Sequence, residues 1–234
     1  MITRNEKPIL FRAPMVRAIL GGHKTVTRRV VKAPIPTSAL RIRAYQNRLG
    51  NQVFGPVIGQ SEKLGEITEL SGIKCPYGQP GARLWVRETW YCDHFELMRG
   101  PYLKPDDLDI NEARADGTLV YAADGLSPYE ADQPVWKPSI HMPRWASRIL
   151  LEITDVRVER LHAITNEQAL AEGVKSAESD IDPDGNDYSP CELFGGLWTM
   201  INGMDSWNAN SWVWVIEFKQ VTQGQPAEGD RDDA

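Results

Sequence analysis

Residues 211–220 (SWVWVIEFKQ) decide the fold, because this stretch is apolar on both faces of a strand. A strand with two apolar faces is covered on both sides, so we expect it to be a central strand of a sheet. Residues 148–160 predict a second long strand. Apolar residues occupy every second position in its first half, and in its second half they shift by one position to the other face. The change of phase falls at Thr154 and Asp155 and predicts a β-bulge or a bend.

Shorter elements are predicted toward the N-terminus. Residues 7–12 (KPILFR) and 84–90 (LWVRETW) have the pattern of short strands. Apolar residues follow Pro14 at helical spacing, which predicts a helix that ends at Gly21 and Gly22. A further short strand is expected near residues 119–122.

Two capping boxes predict short helices toward the C-terminus. Thr165 is followed three residues later by Gln168, and Ser189 is followed at the same spacing by Glu192. In the second helix the apolar positions have helical spacing and predict a buried stripe, made of Phe194, Leu197, Trp198 and Ile201.

These elements do not alternate regularly enough for a doubly wound sheet, and they favour an α+β fold with a compact, strongly bent sheet or small barrel and peripheral helices. Residues 1–221 are expected to form one domain. Proline- and glycine-rich or acidic stretches predict long loop insertions, at about 31–80, 93–137 and 175–189. The polar segment 222–234 predicts a disordered acidic tail.

Composition excludes several classes of protein. The chain has 234 residues, of which 41% are hydrophobic and 9% aromatic, so wholesale disorder is excluded. The longest uncharged apolar stretch, residues 211–216, is too short to cross a bilayer, and no membrane partner is expected. Three scattered cysteines and an N-terminus without an apolar signal segment predict a reducing, cytoplasmic location.

The charges are unevenly distributed. The net charge is −6, yet residues 1–48 contain eleven Lys or Arg and a single acid. The other 186 residues therefore have a net charge of −16. A basic segment on an acidic body can attract one phosphate-bearing ligand while it repels a long polyanion, although a solvated charged face would have the same composition.

Residues 22–29 (GHKTVTRR) combine side chains that can do chemistry. A lysine in a partly dry pocket loses its proton readily and can act as a base, and a Thr hydroxyl needs such a base to become a nucleophile. Strand pleating alone would separate Lys24 from Thr27, so a bend near Gly22 or Thr25 is needed to bring them together. The alternative is a basic strand edge that contacts solvent or phosphate.

Several stretches resemble a known family. Residues 19–29 (ILGGHKTVTRR) resemble the signature of the ASCH domain family, within the PUA-like superfamily, and are similar to the motif G-x-K-T-x-T-x-R of small bacterial N4-acetylcytidine amidohydrolases. Residues 165–173 (TNEQALAEG) resemble the family's short helix with its acidic residue, and 214–219 (WVIEFK) its closing strand. Residues 85–88 (WVRE) and 141–146 (HMPRWA) resemble the long ASCH proteins of phages and prophages.

The resemblance implies a fold and a reaction. The fold would be a PUA-like small, strongly bent β-barrel with flanking short helices. The reaction would remove an acetyl group from the exocyclic amine of a modified cytidine, with Thr27 as nucleophile, Lys24 as its base and Glu172 as the proton-handling carboxylate. A plain alternative for Glu172 is a solvated acid in the last turn of its helix. No cofactor is implied.

Other residues are candidates for substrate contact. Indole rings of Trp can stack on nucleobases, and guanidinium groups of Arg can contact phosphate. A Trp residue on a strand, however, more often belongs to the hydrophobic core. Glu88 is either a buried carboxylate paired with Arg29 or Arg144, or a ligand for a base amine. The substrate-binding candidates are Thr25, Arg29, Trp85, Arg87, Glu88, Arg144 and Trp145.

A metal site is not expected. Cys92 and His94 could be combined with Cys75 and Cys191 in a zinc site, but this spacing is not a standard one.

Two alternatives to the enzyme remain at this point. One is a non-catalytic PUA-like module that binds RNA or a modified base, which the basic N-terminal segment and the Arg and Trp residues favour. The other is a phage accessory protein whose insertions form a protein interface. The expected partners are accordingly a modified cytidine nucleoside or nucleotide, or RNA, and protein partners are unknown.

Overall fold

The computed structural model describes residues 6–36, 39–47, 49–58, 72–97, 100–125 and 136–221. The tail predicted at 222–234 lies outside this part of the chain. The described residues form nine strands, in chain order β1 (Lys7–Leu10), β2 (Val26–Val30), β3 (Ala39–Gln46), β4 (Gln52–Ile58), β5 (Arg83–Arg87), β6 (Trp90–Cys92), β7 (Leu119–Tyr121), β8 (Leu150–Arg160) and β9 (Trp212–Val221).

The fold is α+β, and its centre is a five-stranded, mostly antiparallel sheet with the order β1-β5-β8-β9-β2. Only the pairing of β1 with β5 is parallel. β9 lies between β8 and β2, and Val213, Val215 and Ile216 are completely buried, which confirms that it is a central strand. The register of β8 shifts between Ile153 and Asp155, where the change of phase predicts a bulge.

β1 and β2 are the two edges of this sheet, and within the described residues no strand pairing joins them into a closed barrel. One side chain nevertheless connects the edges, because Arg29 Nη2 in β2 donates a hydrogen bond to the Leu10 carbonyl of β1 at 2.6 Å. The two edge strands are therefore close to each other at this point.

In the described ranges five α-helices accompany the sheet, namely α1 (Ala13–Leu20), α2 (Ile110–Ala115), α3 (Asn166–Ala171), α4 (Glu178–Ile181) and α5 (Pro190–Asn202). Both predicted capping boxes are confirmed, at the start of α3 and of α5. Of the predicted α5 stripe, Ile201 is an exception, since it is 43% exposed in the last turn of the helix. None of the helices in the described ranges is long and apolar enough to span a bilayer.

The segment 31–80, predicted to be mostly irregular, contains the hairpin of β3 and β4. This hairpin packs against the main sheet through Phe54, whose ring makes an edge contact with Trp214 of β9 at 5.0 Å between centroids. Pro56 is tolerated because its nitrogen, like that of Phe54 two residues earlier, faces away from β3, so the missing N–H breaks no pairing between the two strands.

A second, smaller core lies within the segment 93–137 and its surroundings. β6 and β7 pair there, and Trp90 is completely buried between the rings of Tyr102 and Trp145, each 5.7 Å away between centroids. This core is separate from the one beneath the main sheet. The main sheet, α1, α3 and α5 position the candidate site.

Candidate functional site

A cavity of about 430 Å³ lies where the edges of the main sheet meet α1, the end of α3 and α5. Its charged and hydroxyl-bearing lining includes Lys24, Thr27, Arg28, Arg29 and Glu172. Its apolar wall includes Phe11, Met15, Phe194, Leu197 and Trp198. The volume is within the roughly 300–1,000 Å³ of small-molecule pockets.

The backbone holds Lys24 beside the end of α3. Lys24 lies before β2 begins and forms an isolated antiparallel bridge with Glu172, the C-cap residue of α3. The amide of Thr25 donates to the Ala171 carbonyl at 2.9 Å. Gly173 follows with φ +79°, and a Cβ on it would lie 2.7 Å from the Cβ of Ala18. This close approach requires glycine.

The side chain of Lys24 is almost fully buried and has three acceptors. Its Nζ lies 2.7 Å from Glu172 Oε2, 2.8 Å from the Glu172 carbonyl and 2.8 Å from the Val26 carbonyl. Three acceptors match the three N–H groups of an ammonium. The Glu172 carboxylate is correspondingly buried, with 5% of its side chain exposed.

A second cation holds the other carboxylate oxygen. Arg28 Nη1 lies 3.3 Å from Glu172 Oε1, and Arg28 Nη2 donates to Gln168 Oε1 at 2.7 Å. Gln168 is also the N3 residue of the α3 capping box, three positions after Thr165. The carboxylate is therefore fixed between two buried cations, and α3 is attached to β2.

Burial changes the acidity of Lys24. Loss of solvent is the largest effect and lowers its pKa below the ordinary value of 10.5, and the Arg29 and Arg28 cations lower it further. The charge of Glu172 and its hydrogen bond act in the opposite direction without cancelling the desolvation. The amine of Lys24 consequently loses a proton more readily than an exposed lysine would.

Thr27 lies in β2 opposite Ile216 of β9 and is 4% exposed. Within the described part of the chain its hydroxyl makes no hydrogen bond, so it is available to a ligand. The expected separation of Lys24 and Thr27 by pleating does not arise, because the regular strand begins only at Val26. Both residues line the same cavity.

Of the seven predicted substrate-binding residues, Arg29 lines this cavity. Its guanidinium lies 5.2 Å from the centroid of the Phe11 ring and donates Nη2 to the Leu10 carbonyl. Thr25 is exposed and is not part of the lining; its backbone serves to join α3 and β9.

Four further candidates lie outside the cavity. The Arg87 guanidinium is 4.7 Å from the centroid of the Trp85 ring, and Trp85 is buried in β5. Arg144 forms an ion pair with Glu6 at 2.7 Å. The indole nitrogen of Trp145 donates to the Tyr102 carbonyl at 2.9 Å, within the smaller core.

Glu88 is buried and paired, but its partner is neither Arg29 nor Arg144. Arg148 holds both carboxylate oxygens, at 2.9 Å and 3.0 Å, and also binds Asp124. Burial nevertheless raises the pKa of Glu88 above its ordinary value of 4.5. Glu88 also lies outside the cavity, because β5 ends at Arg87 and the chain passes into the smaller core.

Several lining residues were not among the sequence candidates. Arg28 lines the cavity and occupies a variable position of the motif G-x-K-T-x-T-x-R. Its partner Gln168, which lies outside the lining, was assigned only a capping role. The α5 wall formed by Phe194, Leu197 and Trp198 was predicted only as a buried stripe. Nothing in the local sequence indicated that α5 would lie opposite β2.

The candidate zinc ligands of the sequence include three cysteines, Cys75, Cys92 and Cys191. In the ranges that the structure describes, no group of three or more His, Cys, Asp and Glu side chains could hold a metal ion. Cys75, Cys92 and Cys191 are free thiols, and burial raises the pKa of Cys92 to about 11.

The cavity thus combines an unengaged hydroxyl, an amine of lowered pKa and a carboxylate held by two cations. Such a set can move a proton away from the hydroxyl and return it to a leaving group. It can equally bind a polar ligand without reacting with it. No protein-family model matches the chain, and neither a curated protein nor a solved structure is significantly similar to it.

Proposed function

We propose that this protein is an amidohydrolase that removes an acetyl group from the exocyclic amine of a modified cytidine nucleoside or nucleotide. The observation that carries the proposal is that Lys24, Thr27 and Glu172 line one cavity although Glu172 is 145 residues beyond Thr27 in the sequence. These are the three residues to which the ASCH resemblance assigns catalytic roles.

The reaction begins at Thr27. Its Oγ1 attacks the acetyl carbonyl carbon, and the hydroxyl proton passes to Lys24. When the tetrahedral intermediate collapses, the C–N bond breaks and the exocyclic nitrogen takes a proton from Lys24 as it leaves. Water then hydrolyses the acetyl ester on Thr27, which releases acetate and restores the hydroxyl.

Glu172 has the role of a proton store for Lys24. An ammonium uses all three of its N–H groups on the acceptors around Nζ, and it has no lone pair for the Thr27 proton. A proton that moves across the 2.7 Å to Glu172 Oε2 leaves an amine with two N–H groups for the two backbone carbonyls. The lone pair left on Nζ faces the protonated carboxyl, and rotation about the Cε–Nζ bond turns it toward the Thr27 hydroxyl, whose proton it accepts.

The same proposal extends to the fold. The bent sheet whose edges approach each other at Arg29 and Leu10 is compatible with an open variant of the PUA-like barrel. Membership of the ASCH family, in its long phage or prophage form, is therefore part of the proposal. The hairpin of β3 and β4 and the smaller core would then be additions to a minimal domain.

The experiment is hydrolysis of N4-acetylcytidine by the purified full chain, followed by absorbance. Thr27→Val removes the hydroxyl and is expected to reduce kcat by about a thousandfold or more. Because that hydroxyl makes no hydrogen bond within the described residues, the free energy of unfolding should change by no more than about 1 kcal/mol. Thr154→Val, an exposed threonine of β8 outside the cavity, is the matched control.

Lys24→Met should also abolish turnover, and its folding is checked by circular dichroism. No turnover by the wild-type chain, or full turnover by a folded Thr27→Val variant, would contradict the proposal. Activity lost in Thr154→Val as well would show that the assay reports general damage to the sheet.

A second candidate is a module that binds RNA or a modified base without catalysis. The observation that favours it is that Arg12 and Lys32 are exposed residues of the cavity lining. A module with several phosphate contacts would lose affinity for single-stranded RNA steeply as salt increases, whereas turnover of an uncharged nucleoside would depend little on salt. Fluorescence anisotropy at two or more salt concentrations distinguishes the two candidates.

A further inference from the structure

The cavity is strongly positive, although the protein as a whole is acidic. Five cationic residues belong to its lining, namely Arg12, Lys24, Arg28, Arg29 and Lys32. Glu172 is the one carboxylate among the described lining residues, so the formal charge of the lining is +4, against −6 for the whole chain. A cavity of one sign concentrates ligands of the opposite sign.

The five cations form two groups with different surroundings. Lys24 and Arg28 have side chains that are 2% and 0% exposed, and both contact the Glu172 carboxylate. Their charges are therefore largely committed within the protein. Arg12, Arg29 and Lys32, which we call the mouth cations, are more exposed.

The mouth cations have donors that the described residues leave unused. Neither Arg12 nor Lys32 takes part in an ion pair or a side-chain hydrogen bond within the described residues. Arg29 donates Nη2 to a backbone carbonyl, which leaves its charge without a carboxylate partner in that part of the chain. Arg and Lys bind phosphate oxygens through charge-assisted hydrogen bonds.

We propose that the mouth cations bind the phosphate of a nucleoside monophosphate, so that the cytidine enters as a nucleotide instead of a nucleoside. This inference rests on the proposed function for the identity of the base. A mononucleotide is favoured over RNA because the cations surround one cavity, while the 186 residues beyond the basic N-terminal segment have a charge of −16 and repel a long polyanion.

The test compares two probes without an acetyl group, so that it does not depend on turnover. Cytidine 5′-monophosphate and cytidine are titrated into the full chain by calorimetry at low salt. The monophosphate should bind at least about tenfold more tightly, as one or two charge-assisted hydrogen bonds imply. Arg12→Gln and Lys32→Gln should each reduce this preference, and added salt should reduce it further.

Arg17→Gln is the matched control. Arg17 is an exposed arginine of α1 outside the cavity lining, so this variant loses the same charge and should keep the preference of the wild-type chain. An equal reduction in all three variants would show that only the general field of the basic segment acts, and it would overturn the proposal.

Three other outcomes are decisive. Equal affinity for the two probes would overturn the inference whatever the turnover. An RNA oligonucleotide that binds far more tightly than the monophosphate, with a steep dependence on salt, would overturn it in favour of a polymer. A preference for the monophosphate without hydrolysis of its N4-acetylated form would support the phosphate site and refute the amidohydrolase.

Discussion

Lys24 Nζ lies 2.7 Å from Glu172 Oε2, although the two residues are 148 positions apart in the sequence. Their backbones also form a bridge, and Lys24 Nζ donates to the Glu172 carbonyl as well. The connection between α1 and β2 is therefore fixed to the end of α3 by both main chain and side chain. Because the contact is buried, it affects both the stability and the chemistry of the cavity.

Glu172→Gln tests how much of the fold depends on this carboxylate. The substitution leaves the Lys24 and Arg28 cations buried without their shared counter-charge, and we expect the free energy of unfolding to fall by about 3–5 kcal/mol. Urea denaturation measures the change. The control is Glu178→Gln, which removes an exposed pair with Lys175 and should cost about 0.5 kcal/mol or less. A similar decrease in the free energy of unfolding of both variants would show that the buried carboxylate contributes no more to stability than an exposed one.

The lowered pKa of Lys24 predicts a dependence of stability on pH. Between this lowered pKa and the ordinary value of 10.5, the unfolded chain binds a proton that the native protein does not. The free energy of unfolding of the wild-type chain should therefore increase with pH in this range, relative to that of Lys24→Met. The difference should be constant below the lowered pKa.

Chemical denaturation of both proteins at a series of alkaline pH values measures this difference. Tyrosine and cysteine titrations are common to the two chains and cancel. A difference that decreases as pH increases would mean that the pKa of Lys24 is raised in the native protein, against the prediction.

Gly173→Ala tests the close approach that positions Lys24. A Cβ at this residue would lie 2.7 Å from the Cβ of Ala18 and 3.1 Å from the Cβ of Lys24. Gly185 has a similar φ of +74° with no atom within 4 Å, so Gly185→Ala has the same conformational cost without the clash. We expect Gly173→Ala to be more destabilising by about 1–3 kcal/mol in urea denaturation. Equal effects would mean that backbone conformation alone requires the glycine.

Arg148→Met tests the assignment of the partner of Glu88. The substitution leaves a buried carboxylate with 2% of its side chain exposed and without a counter-charge, and it should cost about 3–5 kcal/mol of stability. Arg144→Met removes the partly exposed pair with Glu6 and should cost about 1 kcal/mol or less. A larger loss in Arg144→Met, measured by thermal or urea unfolding, would contradict the assignment.

Predictions from the sequence were confirmed where a structural feature depends on interactions between residues that are close in the sequence. The capping boxes at Thr165 and Ser189 satisfy backbone N–H groups three residues away, so spacing alone reveals them. The bulge near Thr154 follows from a change of alternation within β8. The two apolar faces of β9 likewise indicated a strand with neighbours on both sides.

The predictions failed or were incomplete where the partner is distant in the sequence. Glu88 was recognised as a buried carboxylate, but the choice of Arg148 over Arg144 depends on how the chain enters β8 beside the smaller core. The hairpin of β3 and β4 packs on the main sheet through the contact of Phe54 with Trp214. The prolines around it led to the prediction of an irregular segment, and the sequence gives no sign of this distant contact. Trp145 and Trp85, predicted as ligand contacts, lie outside the cavity lining; the Trp145 indole donates to the Tyr102 carbonyl and Trp85 is buried in β5.

The sequence by itself determined which side chains with useful chemistry exist and where the long strands and the capped helices lie, because spacing and capping act over a few residues. Only the tertiary structure decided that Lys24, Thr27 and Glu172 line one cavity, that Arg28 holds Glu172, and that α5 covers them. The physical reason is that the lowered pKa of Lys24 and the place of Glu172 between two cations both depend on burial. A side chain becomes buried only when segments that are distant in the sequence pack together, so burial cannot be read from any one segment.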